Sequence, residues 1–223
     1  LMEMLLVATT QMKMRGDTTL KDLLSVEDYE KVRAYFESKE TMLPFSMLET
    51  MKPFFAASTL QQKDMPCESM SAMEQVIMLE AKQYKKEING LETMSYQAGI
   101  LDSIPYKLQA QQLVEYINNE GKGSETINET EAMLKAYMDQ DLIKLEAMIN
   151  KSDIGISNFT EILLNNRNRN WVKKLKELMP GKTLLIAVGA GHLPGNQGVI
   201  ELLKKEGYTV EPIENKMIKV KEI

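Results

Sequence analysis

Cysteine and histidine are almost absent from this 223-residue chain, which has one of each, Cys67 and His192. A single thiol leaves no internal disulfide and no cysteine cluster for zinc. A single imidazole excludes any mechanism that needs two from this chain, a His-Glu-x-x-His metalloprotease helix among them. Long apolar runs are missing as well. None approaches the roughly 18 residues of a membrane-spanning helix, so no transmembrane segment is read in the chain. Nor is there an excess of positive charge: Lys plus Arg number 27 against 32 for Asp plus Glu, a net −5. That sign of field repels phosphate backbones and no basic stripe reverses it, which argues against nucleic acid as a partner.

What is present is ordinary for a globular protein, 43% hydrophobic and 26% charged. The length suits one sizeable core, and residues 1–223 read as a single domain. Seventeen methionines are many for this length. Met47, Met51, Met70, Met73, Met78, Met133 and Met148 fall on helical patterns and read as adaptable core filler rather than a copper-binding box. Cys67 lacks an activating context and reads as an incidental thiol. The chain opens Leu1-Met2-Glu3-Met4, with no basic stretch or small-residue cleavage site. Met2, Leu5, Leu6 and Met12 sit at helical spacing there, so the sequence is expected to begin in mid-element with a segment missing upstream.

Helical patterns dominate to about residue 180. Ser25-x-x-Asp28, Ser46-x-x-Glu49 and Ser71-x-x-Glu74 fit the capping box, in which hydroxyl and carboxylate satisfy free backbone N–H groups. Helices are predicted over 19–38, 46–61, 71–87, 94–103, 106–119, 129–150 and 157–179, with breaks or kinks at Pro53 and Pro105. Residues 88–93 read as a short strand or turn, and Gly121-Lys122-Gly123-Ser124 as a loop. Beyond Gly181 the pattern changes. Leu184-Leu185-Ile186-Ala187-Val188 is a continuous apolar run, the signature of a strand covered on both faces. A glycine-rich turn over 189–195, a short helix over 196–205 and two strands over 208–213 and 217–221 follow, the last two as a hairpin. The predicted fold is therefore a helix-rich α/β domain. Its small β-sheet carries a helical section inserted between N- and C-terminal strands, the N-terminal ones lying outside this chain.

Three places break the helical and strand patterns. His192 follows a predicted buried strand and precedes a helix, where open α/β sheets place their ligand crevices. Gly189 and Gly191 there let the backbone turn and approach a ligand. His192 is either a metal ligand or general base, or a side chain that bonds a carbonyl in a tight turn. The second place is the polar run Asn165–Asn170. Asn168 falls on the stripe Leu164, Trp171, Leu175, Leu178 with Arg167 alongside, so these groups need buried partners. Such partners belong equally well to a structural network or to a binding site. Third, Glu92 lies in a short connector with Gln97 five residues on. It is either a metal-ligating or water-orienting carboxylate, or an acid that complements a helix dipole.

Together these residues carry a resemblance. Val188-Gly189-Ala190-Gly191-His192-Leu193-Pro194-Gly195 and its continuation to Pro212 resemble the C-terminal signature of the TraB/GumN family. Arg167-Asn168 followed by Trp171 resembles that family's Arg-Asn helix, and Gly90-Leu91-Glu92-Thr93 with Gln97 its Gly-Leu-Glu-Thr-x-x-x-Gln segment. The resemblance implies two Gly-x-x-His motifs with a Glu completing the site, and kinship with the Tiki metalloproteases and with haem-binding ChaN-like and erythromycin-esterase-like proteins. It implies a metal-dependent hydrolase of peptide bonds at the bacterial cell envelope, periplasmic or lipid-anchored. His192 would be a ligand to Mn, Co or Zn, Glu92 a second ligand or water-activating base, and Arg167 a stabiliser of the oxyanion. Gly189, Gly191, Asn168 and Gln97 would line the binding site for a peptide or small-molecule substrate. The alternative is a non-catalytic envelope protein holding haem or a small ligand in the same crevice. Only the second Gly-x-x-His is present here, so the first is expected either in a segment missing upstream, which the mid-helix opening favours, or to have been lost in a degenerate member.

Overall fold

The computed structural model describes residues 11–39, 43–61, 71–120, 125–151 and 159–213. Among them the regular structure is helical: α1 (Leu20–Leu23), α2 (Val26–Ser38), α3 (Phe45–Leu48), α4 (Pro53–Gln61), α5 (Met73–Gln83), α6 (Met94–Ile100), α7 (Tyr106–Glu120), α8 (Glu125–Met138), α9 (Leu142–Lys151), α10 (Asn166–Leu178) and α11 (Val199–Lys205). A π-helical turn at Glu161–Asn165 leads into α10, and a 3-10 turn at Ala190–His192 precedes α11.

Caps and prolines explain most of the boundaries. Ser25 caps α2, its side chain accepting from the Asp28 N–H, and this splits the single helix predicted over 19–38. The helix predicted over 46–61 is also two, broken at Pro53 as expected. Pro44, not Ser46, stands at the N-cap of α3, and Pro53 opens α4, where its missing N–H costs nothing. Thr93 caps α6 by accepting from the Tyr96 N–H. The segment 129–150 divides between α8 and α9 at Gln140, whose φ of 58° no helix continues through. Ser71-x-x-Glu74 forms no capping box, since α5 starts from Ala72 without a side-chain cap bond.

Two cores form. The larger gathers Leu20, Phe36, Leu48, Leu60, Leu113 and their neighbours from α1, α2, α3, α4 and α7. Lys52 is buried beside it, its ammonium bonded to the Asp102 carboxylate and the Ala98 carbonyl, both at 2.8 Å. The smaller core is Trp171, Val172 and Val199, with Leu91, Val188, Leu202 and Leu203 against it. It joins α10, α11 and the connector before α6, and the candidate site rests on it.

The predicted α/β fold is not what the structure shows. Among the described residues there is no strand, only an isolated antiparallel bridge between Lys13 and Met51. Leu184–Val188 has no regular structure and pairs with no other described segment, and Leu185 is 82% exposed rather than covered on both faces. Residues 208–213 and 88–93 have no regular strand structure either, and 217–221 lie outside the described residues. An apolar run dictates extended backbone where helical periodicity is absent, but a strand exists only through its ladder to a neighbour. No helix among the described residues is long and apolar enough to cross a membrane.

Candidate functional site

Helix α10 sets the geometry of the site. Arg167 and Trp171, four residues apart, lie on one helix face, and Asn168 is turned further towards the interior. The π-helical turn before α10 leaves the Leu163 carbonyl to accept from Arg167 Nη1 at 2.8 Å. π-helical turns of this kind concentrate at functional sites. Lys174, one turn beyond Trp171, reaches the Gly90 carbonyl and fastens the connector that carries Glu92.

Glu92 meets this face with its carboxylate. Arg167 Nη2 donates to Oε1 at 2.6 Å, Arg167 Nε lies 3.2 Å from both oxygens, and Trp171 Nε1 donates to Oε2 at 3.1 Å. Glu92 precedes the cap residue of α6, and what its carboxylate meets is Arg167 and Trp171, 75 and 79 residues along the chain. Both side chains of the ion pair are largely shielded from water. Charge-assisted, multidentate contact of this kind is the strong form of the hydrogen bond.

His192 arrives from the glycine-rich turn, 7% exposed, with its ring tilted on Trp171 at a centroid distance of 4.4 Å. Its two nitrogens have separate partners. Nε2 lies 3.1 Å from Arg167 Nη1, and Nδ1 lies 2.6 Å from Asn168 Oδ1. A guanidinium can only donate, so Nε2 accepts and the proton sits on Nδ1. Asn168 is oriented to match, because its Nδ2 donates to the Gln197 carbonyl at 2.8 Å and so turns Oδ1 to the imidazole. Burial and then the Arg167 charge push the His192 pKa down to about 4, against an opposing pull from Glu92. The imidazole is therefore neutral at pH 7, with its lone pair on Nε2, where it accepts from Arg167 Nη1.

The structure thus brings four of the predicted residues, Glu92, Arg167, Asn168 and His192, into one hydrogen-bonded cluster. Gln97 is not among them. It is exposed on α6, with its backbone N–H bonded to the Thr93 carbonyl. Gly189 has an ordinary φ of −59°, and a Cβ there would meet only the His192 ring at 3.8 Å. Gly191 packs closely, a Cβ coming within 3.2 Å of Ile149 on α9. The turn depends more on Gly195, at its end, and on Gly198 beyond it. Gly195 has φ +82° and abuts the Glu146 carboxylate, and a Cβ on Gly198 would overlap the carbonyl oxygens of Leu193 and Pro194. Trp171 joins the cluster as well, and its place on the apolar stripe four residues after Arg167, directly after the polar run, is the sequence signal for it.

A divalent cation does not fit this cluster as it stands. Only Glu92 and His192 offer donor atoms, Arg167 already occupies those atoms, and among the described residues no group of three His, Cys, Asp or Glu side chains is placed to hold a metal. Metal-catalysed hydrolysis ordinarily uses three protein ligands with an open position.

Comparison with known proteins gives the cluster its context. The metalloprotease TIKI1 of Danio rerio is 22% identical over 247 residues, covering 86% of this chain and 49% of its own length. Human TIKI1 is 22% identical across 92% of this chain and 50% of its own. TIKI1 of Xenopus tropicalis is 32% identical over a shorter stretch, 52% of this chain and 19% of its own length. The chain spans about half the length of the first of these relatives, and no solved structure matches it. The model of the TraB/PrgY/gumN family matches residues 1–212, and the chain belongs to that family.

Proposed function

We propose that this chain is part of a peptidase-like hydrolase, with Glu92, Arg167 and His192 as its reacting centre. The observation that carries the reading is convergence. Residues from a connector, a helix and a turn meet in a buried, charge-paired cluster, and it lies within the chain matched to proteins named metalloproteases. An amide resists hydrolysis until water is made nucleophilic and the carbonyl oxygen is given positive charge to lean on.

This chain supplies groups for both tasks. Arg167 carries a permanent positive charge, held in place by Glu92 and the Leu163 carbonyl, and serves the developing oxyanion. His192 is neutral, and Asn168 holds it in the tautomer that presents Nε2 to the cluster. Trp171 packs beneath both and keeps water from the inner face of the ring. Within the cluster Glu92 and His192 would be the two side chains with donor chemistry for a divalent metal, Mn, Co or Zn, which would acidify water and polarise a carbonyl if bound, although Arg167 occupies those atoms here. Placement at the cell envelope belongs to the same proposal and rests on family resemblance alone.

The test is hydrolysis of a mixed peptide library by the intact protein, with and without Mn, Co or Zn, beside His192→Ala and Glu92→Gln. Metal-dependent cleavage that both variants lose supports the reading. Cleavage that both variants retain overturns it.

A further inference from the structure

Asn168 belongs to a second feature besides the cluster, a cleft of about 170 Å³ between α9, the π-helical turn before α10 and the glycine-rich turn. Asn168 and Gly198 are its buried members, and Asn150 and Asn196 are exposed at its rim. The volume exceeds the roughly 30 Å³ share of one water. It falls short of the roughly 300 Å³ at which sites for whole cofactors begin. One long amino-acid side chain is the group of matching size.

The lining is polar and carries a single charge. Asn150, Thr160, Asn165 and Gln197 contribute neutral groups, and Glu146 of α9 is the one ionisable side chain among the described residues of the lining. Among the described residues nothing donates to the Glu146 carboxylate or pairs with it, whereas the Glu92 carboxylate is held by Arg167 and Trp171. The Glu146 carboxylate lies against Gly195, where a Cβ would come within 2.5 Å of Oε1, so a glycine keeps that wall open. Nearby cations are engaged elsewhere, Arg169 with Glu161 and Lys205 with the Asn196 carbonyl.

A lone carboxylate among amides lacks the ligand set of a divalent metal, and no such set is placed among the described residues. An ammonium or guanidinium asks for less, one opposite charge and a few neutral acceptors, which the amide oxygens offer. We infer that this cleft binds one lysine or arginine side chain of a peptide, with Glu146 as its charge partner. The inference deepens the peptidase reading and rests on it for the peptide, while the cleft and its charge do not depend on it. Asn168 joins the two places, since it lines the cleft and its Oδ1 holds Nδ1 of His192. A side chain seated in the cleft is therefore one residue away from the imidazole.

Binding tests this without turnover. The C2-proton resonance of His192, the sole histidine, is followed by NMR while Nα-acetyl-lysine methylamide, its arginine counterpart or the uncharged norleucine counterpart is added to the intact protein. The two basic amides should shift the resonance saturably and bind at least about tenfold more tightly than norleucine. Glu146→Gln, checked for an unchanged melting temperature, should lose that advantage. Norleucine binding as well as lysine in wild type overturns the inference whatever the fold of the variant, and so does an advantage that a folded Glu146→Gln retains. Saturation by n-butylammonium with no response to the blocked amino acids overturns it too, the occupant then being a free amine. Cleavage of a peptide library without preference for Lys or Arg would sink this inference and leave the peptidase reading. Charge-selective binding without cleavage would do the reverse.

Discussion

Asn168 Oδ1 stands 2.6 Å from Nδ1 of His192, and this contact decides which face of the imidazole is chemically available. The amide cannot turn over without losing the Gln197 carbonyl, so one hydrogen bond to a loop fixes the tautomer of a ring on the next. In metal and hydrolytic sites, partners of this kind set ligand orientation as firmly as the ligands themselves.

Replacing Asn168 by Leu should therefore cost about 1–3 kcal/mol, because two buried groups lose their partner and no water replaces it. Asn168→Asp should raise the His192 pKa, since a carboxylate beside Nδ1–H favours the imidazolium, and should also destabilise, since it loses the Nδ2 donor and sets an oxygen against the Gln197 carbonyl. As His192 is the sole histidine, a single C2-proton resonance followed by NMR against pH reads both variants without assignment.

Acid should weaken the fold through the same ring. His192 takes up its proton at the ordinary value of 6.5 in the unfolded chain and only near 4 in the folded protein. Between those values the unfolded state binds more protons, so stability falls as the pH drops from about 6.5 to about 4 and levels off below. The loss from this one group is at most about 3 kcal/mol. Urea midpoints between pH 7 and pH 4 should show it, and His192→Gln should flatten that part of the curve.

Glycine substitutions should separate two classes of turn residue. Gly198→Ala drives a methyl group into the carbonyl oxygens of Leu193 and Pro194, and a backbone shift is the only relief. It should destabilise by more than about 2 kcal/mol and disturb His192. Gly189→Ala meets nothing closer than 3.8 Å at an ordinary φ and should be nearly neutral. Melting temperatures of the two variants side by side check the contrast.

These tests concern residues whose legibility in the sequence was uneven. The buried polar run made Arg167 and Asn168 visible, because a helix that places Asn on its apolar stripe must bury a partner for it. The lone histidine in a glycine-rich turn was visible for similar reasons. Glu92 was ambiguous, because helix-dipole stabilisation and ion pairing ask for the same residue type and only tertiary contact distinguishes them. Gln97 shows the opposite failure, sharing a motif with Glu92 yet pointing elsewhere on α6. The sheet was misread because Leu184–Val188 encodes extended backbone, whereas pairing depends on a second segment that local pattern does not specify. The break ahead of Pro53 follows from the missing proline N–H, whereas those at Leu24 and Gln140 are not legible because an apolar stripe can run on through a non-helical residue.

Trp171, the sole tryptophan, offers a probe of the cluster. Its N–H donates to Glu92 and its ring supports both Arg167 and His192. Trp171→Phe should keep the packing, lose one hydrogen bond to a charged group and cost about 1.5–3 kcal/mol. Trp171→Ala should cost about 3–5 kcal/mol. Chemical denaturation followed by circular dichroism distinguishes them. In wild type this sole tryptophan should report metal or ligand binding directly by fluorescence.

The most direct measurement is peptide cleavage by the intact protein in excess Mn, Co or Zn, with His192→Ala and Glu92→Gln assayed at a temperature where all three are folded. If the cluster is the reacting centre, wild type cleaves and each variant falls by about a hundredfold or more. If wild type and variants cleave alike, Glu92, Arg167 and His192 hold the fold together and the chemistry lies elsewhere.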